Sequence, residues 1–560
     1  MNNILNVVLS QKNIKVSVPK GITPLELFDR YMEPMEAPVM NAQVNHKTIS
    51  LSEPLYEECN LCFIDYSQES GMRTYLRTFI SLLSRASINL KDIREPRIDF
   101  EHAISNGYYC AWGSREKAPT QEEVEALSRE VRALIAQALP IKVISMPTEE
   151  AIRYLEEKGG YTTAEMIRTL GRCYTPLVEI DGHREYIFGN VLPNTSMIWD
   201  FILEPFQDGI LIRLPKRSNY KELNERVDQP KLLETFKSHI ELLRTLGVEE
   251  TGPMNCMLRD KDTAAELVQV SEAMQEKQIA DIAQEISRLH SERGVRIVLI
   301  AGPSSSGKTT TSKRLRTQLI TNLLRPFTLS LDDFFVDREK TPLNEDGSYD
   351  FESIYALDLP YLNETLSEIV AGEEVELPTF DFTTGSRVFK GNSLKLGADH
   401  ILIIEGIHAL NPELTSQIPQ EKIFRIYVSA LTSITLDRLN FLSTSDNRLI
   451  RRIIRDSKYR NHSAVHTLAM WNSVRRGEEK WIFPFQENAD VMFNSAMLYE
   501  LAALRPIAEP ILRAVKQIEP EYAEAQRLLH LLSHFEPIGL RSLPPTSLLR
   551  EFIGGSSFKY

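Results

Sequence analysis

Cysteine is scarce in this chain: Cys59, Cys62, Cys110, Cys173 and Cys256 are the only five among 560 residues. So sparse and odd a set excludes a disulfide framework and predicts a reducing, cytoplasmic setting. Cys59 and Cys62 form one CxxC. No second CxxC and no nearby HxxxH supplies the other ligands of a zinc site, so two packed thiols are expected instead. His462 and His466, four apart, likewise lack a third ligand. Long hydrophobic runs are missing too. The longest, "VRIVLIAG" and "HILIIEGIHAL", fall far short of a membrane span and read as buried strands. The opening "MNNILNVVLSQKN" has neither a cationic lead nor a long apolar run, so no signal peptide is expected. Positive charge is in deficit. A net charge of −13 excludes an overall basic field that would draw the protein onto nucleic acid or anionic lipid. No internal repeat or low-complexity segment appears. Ordinary globular composition over this length predicts about three or four domains.

The first 65 residues read as short strands around one helix. "NVVLSQKNIKVSV" predicts a hairpin, and "GITPLELFDRY" a helix capped by Thr23, with Pro24 in its first turn and Glu26 completing a capping box. "VMNAQVNHKTISLSEPL" alternates again. This order predicts a β-grasp over 1–66. It resembles a TGS domain, the ubiquitin-like module of threonyl-tRNA synthetases and some GTPases. Residues 67–215 read as mixed α+β, with "EEVEALSREVRALIAQAL" a clear amphipathic helix. Here "DFEHAISNGYYC" and "GNVLPNTSMIWDFILE" resemble the editing-type domain that follows TGS in those synthetases. That family builds its site from an HxxxH and a CxxxH. Anchored on "SLLSRA" and "VLPNT", the two pairs fall on Arg77 and Ser81 and on Ile187 and Val191. None is His or Cys. The resemblance therefore implies a fold kept without its chemistry, serving regulation, dimerisation or RNA contact. Charge-rich helices over 216–290 read as a connector packed on its neighbours. Helices over 516–560 read as packing on the preceding domain or across a homo-oligomer, with no chemistry expected.

The strongest signal is "RIVLIAGPSSSGKTTTSKRLRTQL", a strand, a glycine loop and a helix in that order. Gly302-x-x-x-x-Gly307-Lys308-Thr309 is a Walker A pattern, whose glycines let backbone N–H groups curl toward phosphate oxygens. The following helix adds its positive end. Gly302, Pro303, Ser304, Ser305, Ser306, Gly307, Lys308, Thr309 and Thr310 are expected to surround a nucleotide. Lys308 would reach the β- and γ-phosphates and Thr309 would ligate Mg²⁺. A GTPase would need an NKxD-type reader and an ABC ATPase an LSGGQ-like signature, and both are absent. Instead "FTLSLDDFF" delivers Asp332 and Asp333 at a strand end, the edge where open α/β sheets bind ligands. A carboxylate there can take the proton of an attacking hydroxyl. "HILIIEG" ends in Glu405, a Walker B-like partner for Mg²⁺. "NRLIRRIIRDSKYRNHS" places Arg448, Arg452 and Arg455 on one helical face, with Arg451, Lys458 and Arg460 nearby, and reads as a mobile lid closing on phosphates.

Together "GPSSSGKTT", "SLDDFF", "YDFE", "PTFDFTTGSR", "IIEGIHAL", "RRIIRD" and "ENADVMFN" resemble the uridine kinase and phosphoribulokinase family. The resemblance implies a doubly wound parallel α/β domain over 291–515, with ATP and Mg²⁺ as cofactors and a small-molecule acceptor. It implies Asp332 as catalytic base, Glu352 at a sugar-binding position, and Arg452 and Arg455 as lid arginines, one near the sugar and one near the phosphates. Arg460 matches a further lid arginine. Lys308 assists transfer, and Phe380, Phe382 and Arg387 fall among the substrate binders. True uridine kinases carry a Tyr and a His that read the pyrimidine. Those positions are Phe380 and Gly385 here, so hydrogen-bond discrimination of the base is lost while Phe382 remains to stack. The expected reaction is phosphoryl transfer from ATP to a primary hydroxyl, foremost the 5′-OH of a nucleoside. A non-nucleoside sugar or sugar phosphate, or a role as an RNA-associated nucleotide-binding regulator, are the alternatives.

Overall fold

The computed structural model of the chain describes residues 3–344, 347, 349–381 and 383–560. Phe382 lies outside them. The β-grasp forms as its turns dictate. Strands Ile4–Leu9 and Ile14–Pro19 make the hairpin, and Thr23 and Glu26 exchange side-chain and backbone hydrogen bonds to start helix Pro24–Tyr31. The sheet order is Ile14–Pro19, Ile4–Leu9, Cys59–Asp65, Val39–Val44, Lys47–Ile49, with Ile4–Leu9 and Cys59–Asp65 parallel. Cys59 and Cys62 share one strand three residues apart, so they point to opposite faces.

A second body packs the long helix Glu69–Asn89 on a four-stranded antiparallel sheet containing Ile98–Ile104 and Gly107–Trp112. Tyr75, Phe79, Leu82 and Leu83 of the helix join Phe100, Trp112 and Phe201 in its core. Arg77 and Ser81 lie on this helix. The Arg77 guanidinium sits 5.6 Å from the Phe188 ring centre, and Ile187 and Val191 are buried.

Three helices follow, Pro230–Leu246, Thr251–Arg259 and Lys261–Arg293. The last is more than a connector, because Ile279, Ile282, Ala283 and Ile286 share a core with Val298, Ile300 and Leu315. Arg314 of the helix Lys308–Thr321, which follows the glycine loop, donates to Gln275 at 3.1 Å and to Glu276 at 2.6 Å.

The body that carries the glycine loop is a five-stranded parallel sheet in the order Arg325–Ser330, His400–Glu405, Ile297–Ala301, Ile423–Ser429, Val491–Asn494. Its central strands are buried on both faces, as helix-covered parallel sheets require. Glu405 pairs in register with Ile300 on one side and Ser330 on the other. The loop after Ala301, the turn after Ser330 and Glu405 itself therefore open at one sheet edge. Among the described residues no helix is long and apolar enough to cross a membrane.

Candidate functional site

The loop between strand Ile297–Ala301 and helix Lys308–Thr321 is shaped by contacts that only glycine allows. A Cβ on Gly302 would lie 2.0 Å from the Val428 carbonyl oxygen, and Gly307 has φ +87°. The Thr311 N–H reaches back to the Gly307 carbonyl at 3.0 Å, which leaves the N–H groups of Lys308, Thr309 and Thr310 without partners inside the helix. Among the described residues the buried Ser305 and Ser306 hydroxyls have no protein partner. Helix-start amides outside the helix's own hydrogen-bond ladder, unpaired buried hydroxyls and a cradle that a Cβ would fill all fit a phosphate chain. Lys308 Nζ meanwhile donates to the Gly302 and Pro303 carbonyls at 3.0 and 3.2 Å.

The Thr309 hydroxyl donates to Glu405 Oε1 at 3.1 Å. One hydroxyl and one carboxylate suit Mg²⁺, which is held by few protein oxygens and keeps much of its water. Burial pushes Glu405 up to about 7, against the pull of Lys308. Burial also lowers the Lys308 ammonium below its ordinary value, although Glu405, Asp332 and Glu551 all lie near enough to raise it.

Asp332 sits on the turn Leu331–Phe334, whose first N–H bond runs from Asp332 to the Ser330 hydroxyl at 3.3 Å. Its neighbour Asp333 accepts the Phe380 N–H at 3.2 Å and so fixes the 375–394 hairpin. Asp332 opens on the cleft. The protein crowded around it raises its carboxyl above the usual range, opposed by Lys308. Burial thus acts against the charged form of both groups.

The arginine helix Thr444–Tyr459 lies against the P-loop. Ile450, Ile453 and Ile454 anchor it in the core. Arg448 and Arg451 are fully buried, the first paired with Glu478 and the second with Glu500. Arg448 also donates to the Ser304 carbonyl at 3.1 Å, while Glu478 accepts the Ser304 N–H at 3.1 Å. These residues brace the loop from behind. Arg452 bonds a side chain of the loop, donating to the Ser304 hydroxyl at 2.9 Å. Arg455 bonds Asp456 at 2.9 Å, and Arg460 lies 3.6 Å from that carboxylate. Sequence reasoning missed Glu478 because "RRGEEKW" is an unremarkable helical stretch. Its importance comes from a partner 174 positions away.

Glu352 faces Arg452 and packs so closely on Gly477 that a Cβ there would lie 2.4 Å from its own. Burial lifts Glu352 to about 7, with Arg452 drawing it down. The buried His408 is pushed down to about 4 by desolvation. Phe380 packs on Phe335 with ring centres 5.6 Å apart. Gly385 turns the hairpin at φ +71°, and a Cβ there would lie 3.0 Å from Arg338. Arg387 is committed to the fold: it donates to Asp358 at 3.0 Å and to the Phe335 carbonyl at 3.3 Å. A separate charged cavity of about 360 Å³ lies away from this cleft, lined among others by Arg97, Arg115, Arg244 and Glu250.

Residues 297–501 match the model of the Phosphoribulokinase / Uridine kinase family. Over 201 residues the chain is 35% identical to a uridine kinase of Schizosaccharomyces pombe, covering 35% of this chain and 38% of that one. The chain thus matches less than half the length of that relative. A uridine kinase of Ureaplasma urealyticum is 28% identical over 198 residues, covering 35% of this chain and 86% of that protein. In the N-terminal region, 151 residues are 27% identical to a threonine–tRNA ligase of Acetivibrio thermocellus, covering 27% of this chain and 23% of the ligase.

Proposed function

We propose that this domain transfers the γ-phosphoryl group of ATP to a primary hydroxyl of a small molecule, foremost the 5′-OH of a nucleoside. The observation that carries the reading is the convergence of Lys308, Thr309, Asp332 and Glu405 at one edge of the parallel sheet, with Arg452 reaching the same loop. Asp332 accepts the acceptor's proton as its oxygen bonds to phosphorus and ADP leaves. Lys308 holds the β- and γ-phosphate oxygens, and Arg452 spans from the loop toward Glu352 and the acceptor. Thr309 and Glu405 would hold Mg²⁺, which supplies charge neutralisation along the phosphates. Arg455 and Arg460 contribute positive charge on the same side.

A second reading, a sugar or sugar-phosphate acceptor without a base, is favoured by Gly385. A histidine at its left-handed φ, against Arg338, would be strained whatever ligand it met. The experiment is a panel of nucleosides, pentoses and pentose phosphates assayed for ATP-dependent product, with Asp332→Asn alongside. The reading expects one acceptor class to turn over and Asp332→Asn to lower kcat by about 10²–10⁴ while ATP still binds. Unchanged turnover in Asp332→Asn would remove Asp332 as the base. Tight RNA binding with no acceptor used would favour the regulator instead. We further propose that 1–66, 67–215, 216–290, 291–515 and 516–560 are the chain's units, the second without editing chemistry.

A further inference from the structure

Residues 548–560 lie across the start of the P-loop helix. The Leu548 side chain covers the loop's left-handed glycine so closely that a Cβ on Gly307 would be 2.8 Å from it. One turn on, the Glu551 carboxylate accepts the Thr310 N–H at 3.2 Å and the Thr310 hydroxyl at 2.6 Å. The Tyr560 hydroxyl meets the same Thr310 oxygen at 2.8 Å. Thr310 is fully buried beneath these groups. Its N–H is one of the three that the helix leaves unpaired and that a P-loop turns toward phosphate. Glu551 is also close enough to act on the charges of both Lys308 and Glu405. A carboxylate therefore stands where a nucleotide's phosphate oxygens would take their bonds.

The segment is held on both sides of that contact. Lys458 Nζ donates to the Ile553 carbonyl at 2.5 Å, and the Arg451 guanidinium lies 5.0 Å from the Phe552 ring centre. Upstream, helix Tyr522–Leu532 ties the second body to the arginine helix: Glu524 pairs with Arg73 at 2.9 Å and Arg527 with Asp446 at 2.6 Å. Leu548, Leu549 and Phe552 around Glu551 are buried in the core, while Gly554 and Gly555, at φ +85° and +74°, separate them from the end of the chain at Tyr560.

We propose that residues 548–560 are an autoinhibitory strap in which Glu551 acts as an internal phosphate mimic at Thr310, so that ATP binds only by displacing it. The inference rests on the reading of this loop as the ATP site. Anion replaces anion, so the competition is electrostatic as well as steric. Because the upstream helix is clamped by its own ion pairs, release of the strap leaves the rest of 516–560 in place.

The test is calorimetric titration of Mg-ATP into the full chain and into its Glu551→Gln and Glu551→Ala variants. Loss of a charge-assisted bond from the competing state should tighten ATP by about tenfold and lower the KM for ATP with kcat unchanged. Hydrogen exchange on the unsubstituted protein gives an independent reading should a variant fold poorly. Saturating Mg-ATP should speed exchange at the amides of 550–560. Equal ATP affinity in all three chains, or exchange at 550–560 that is unchanged or slowed by ATP, overturns the strap and leaves the ATP site standing. Failure of every chain to bind ATP removes both.

Discussion

The Thr309 hydroxyl and the Glu405 carboxylate meet at 3.1 Å, joining the P-loop to the end of the neighbouring strand. Folding moves Glu405 from an ordinary 4.5 to about 7 through burial. The ionised form, which a metal needs, is the one the fold penalises. Mg²⁺ affinity should therefore fall as the pH drops through about 7, with the half-saturating Mg²⁺ concentration rising about tenfold per unit below it. Stability runs the other way. A carboxyl with a raised pKa contributes most below 4.5 and loses that contribution as the pH rises through about 7. Glu405→Gln should weaken Mg²⁺ dependence yet raise Tm by about 2 °C at alkaline pH and not at acid pH. A half-saturating Mg²⁺ concentration that stays flat across neutrality would show that Glu405 is not a ligand.

The Arg448–Glu478 pair should behave as a buried pair that braces a loop. Its side chains are 1% and 0% exposed, and burial would raise Glu478 were Arg448 not holding it below the usual carboxylate range. Removing one partner strands the other charge. Glu478→Ala should cost about 3–5 kcal/mol in urea unfolding. Replacing both by Met and Leu should recover most of the stability. It should not recover ATP binding, because the Ser304 N–H has lost its acceptor and its carbonyl its donor. Full recovery of ATP affinity in the double variant would refute the bracing role.

Much of this architecture is legible locally. The Thr23–Glu26 box, the hairpin at Ile4–Pro19 and the strand–loop–helix around Gly302 are written in residues a few positions apart. So is Glu405, because a buried parallel strand reads as an apolar run and ends at the ligand edge. What stays hidden is long-range. A helical pattern puts Arg448, Arg452 and Arg455 on one face, but it cannot say that Glu478 pairs with the buried first, which holds the loop's backbone, while Arg452 bonds a loop hydroxyl. Nor can "SLLREFIGG" announce that its glutamate reaches Thr310, 241 positions away. Charge that folds inward and charge that serves a ligand look alike until their partners are known.

Gly385 gives a prediction about the fold of the 375–394 hairpin. Its φ of +71° and the 3.0 Å approach of Arg338 make any side chain there costly. Gly385→Ala should destabilise the hairpin Val375–Asp381 and Ser386–Leu394 by about 1 kcal/mol, read as faster proteolysis within 375–394. Gly385→His should do the same without conferring a preference among bases. A gain of pyrimidine selectivity in Gly385→His, alone or with Phe380→Tyr, would show that the hairpin accepts a reader after all.

Arg452 and Glu352 set the last expectation. Arg452 is tied to the Ser304 hydroxyl at 2.9 Å and is the strongest charge drawing Glu352 down from the raised value that burial imposes. If Arg452 spans donor and acceptor, its loss acts at two points. Arg452→Ala should lower kcat by about 10²-fold or more, as removal of a positioned charge-stabilising group does. It should also move the pH dependence of acceptor KM upward, because Glu352, relieved of the arginine, holds its proton to higher pH than about 7. Arg452→Lys keeps the charge but not the planar fork, so it should restore the pH profile more than the rate. An Arg452→Ala enzyme with slower turnover and an unmoved KM profile would separate the two residues and leave Arg452 with the phosphates alone.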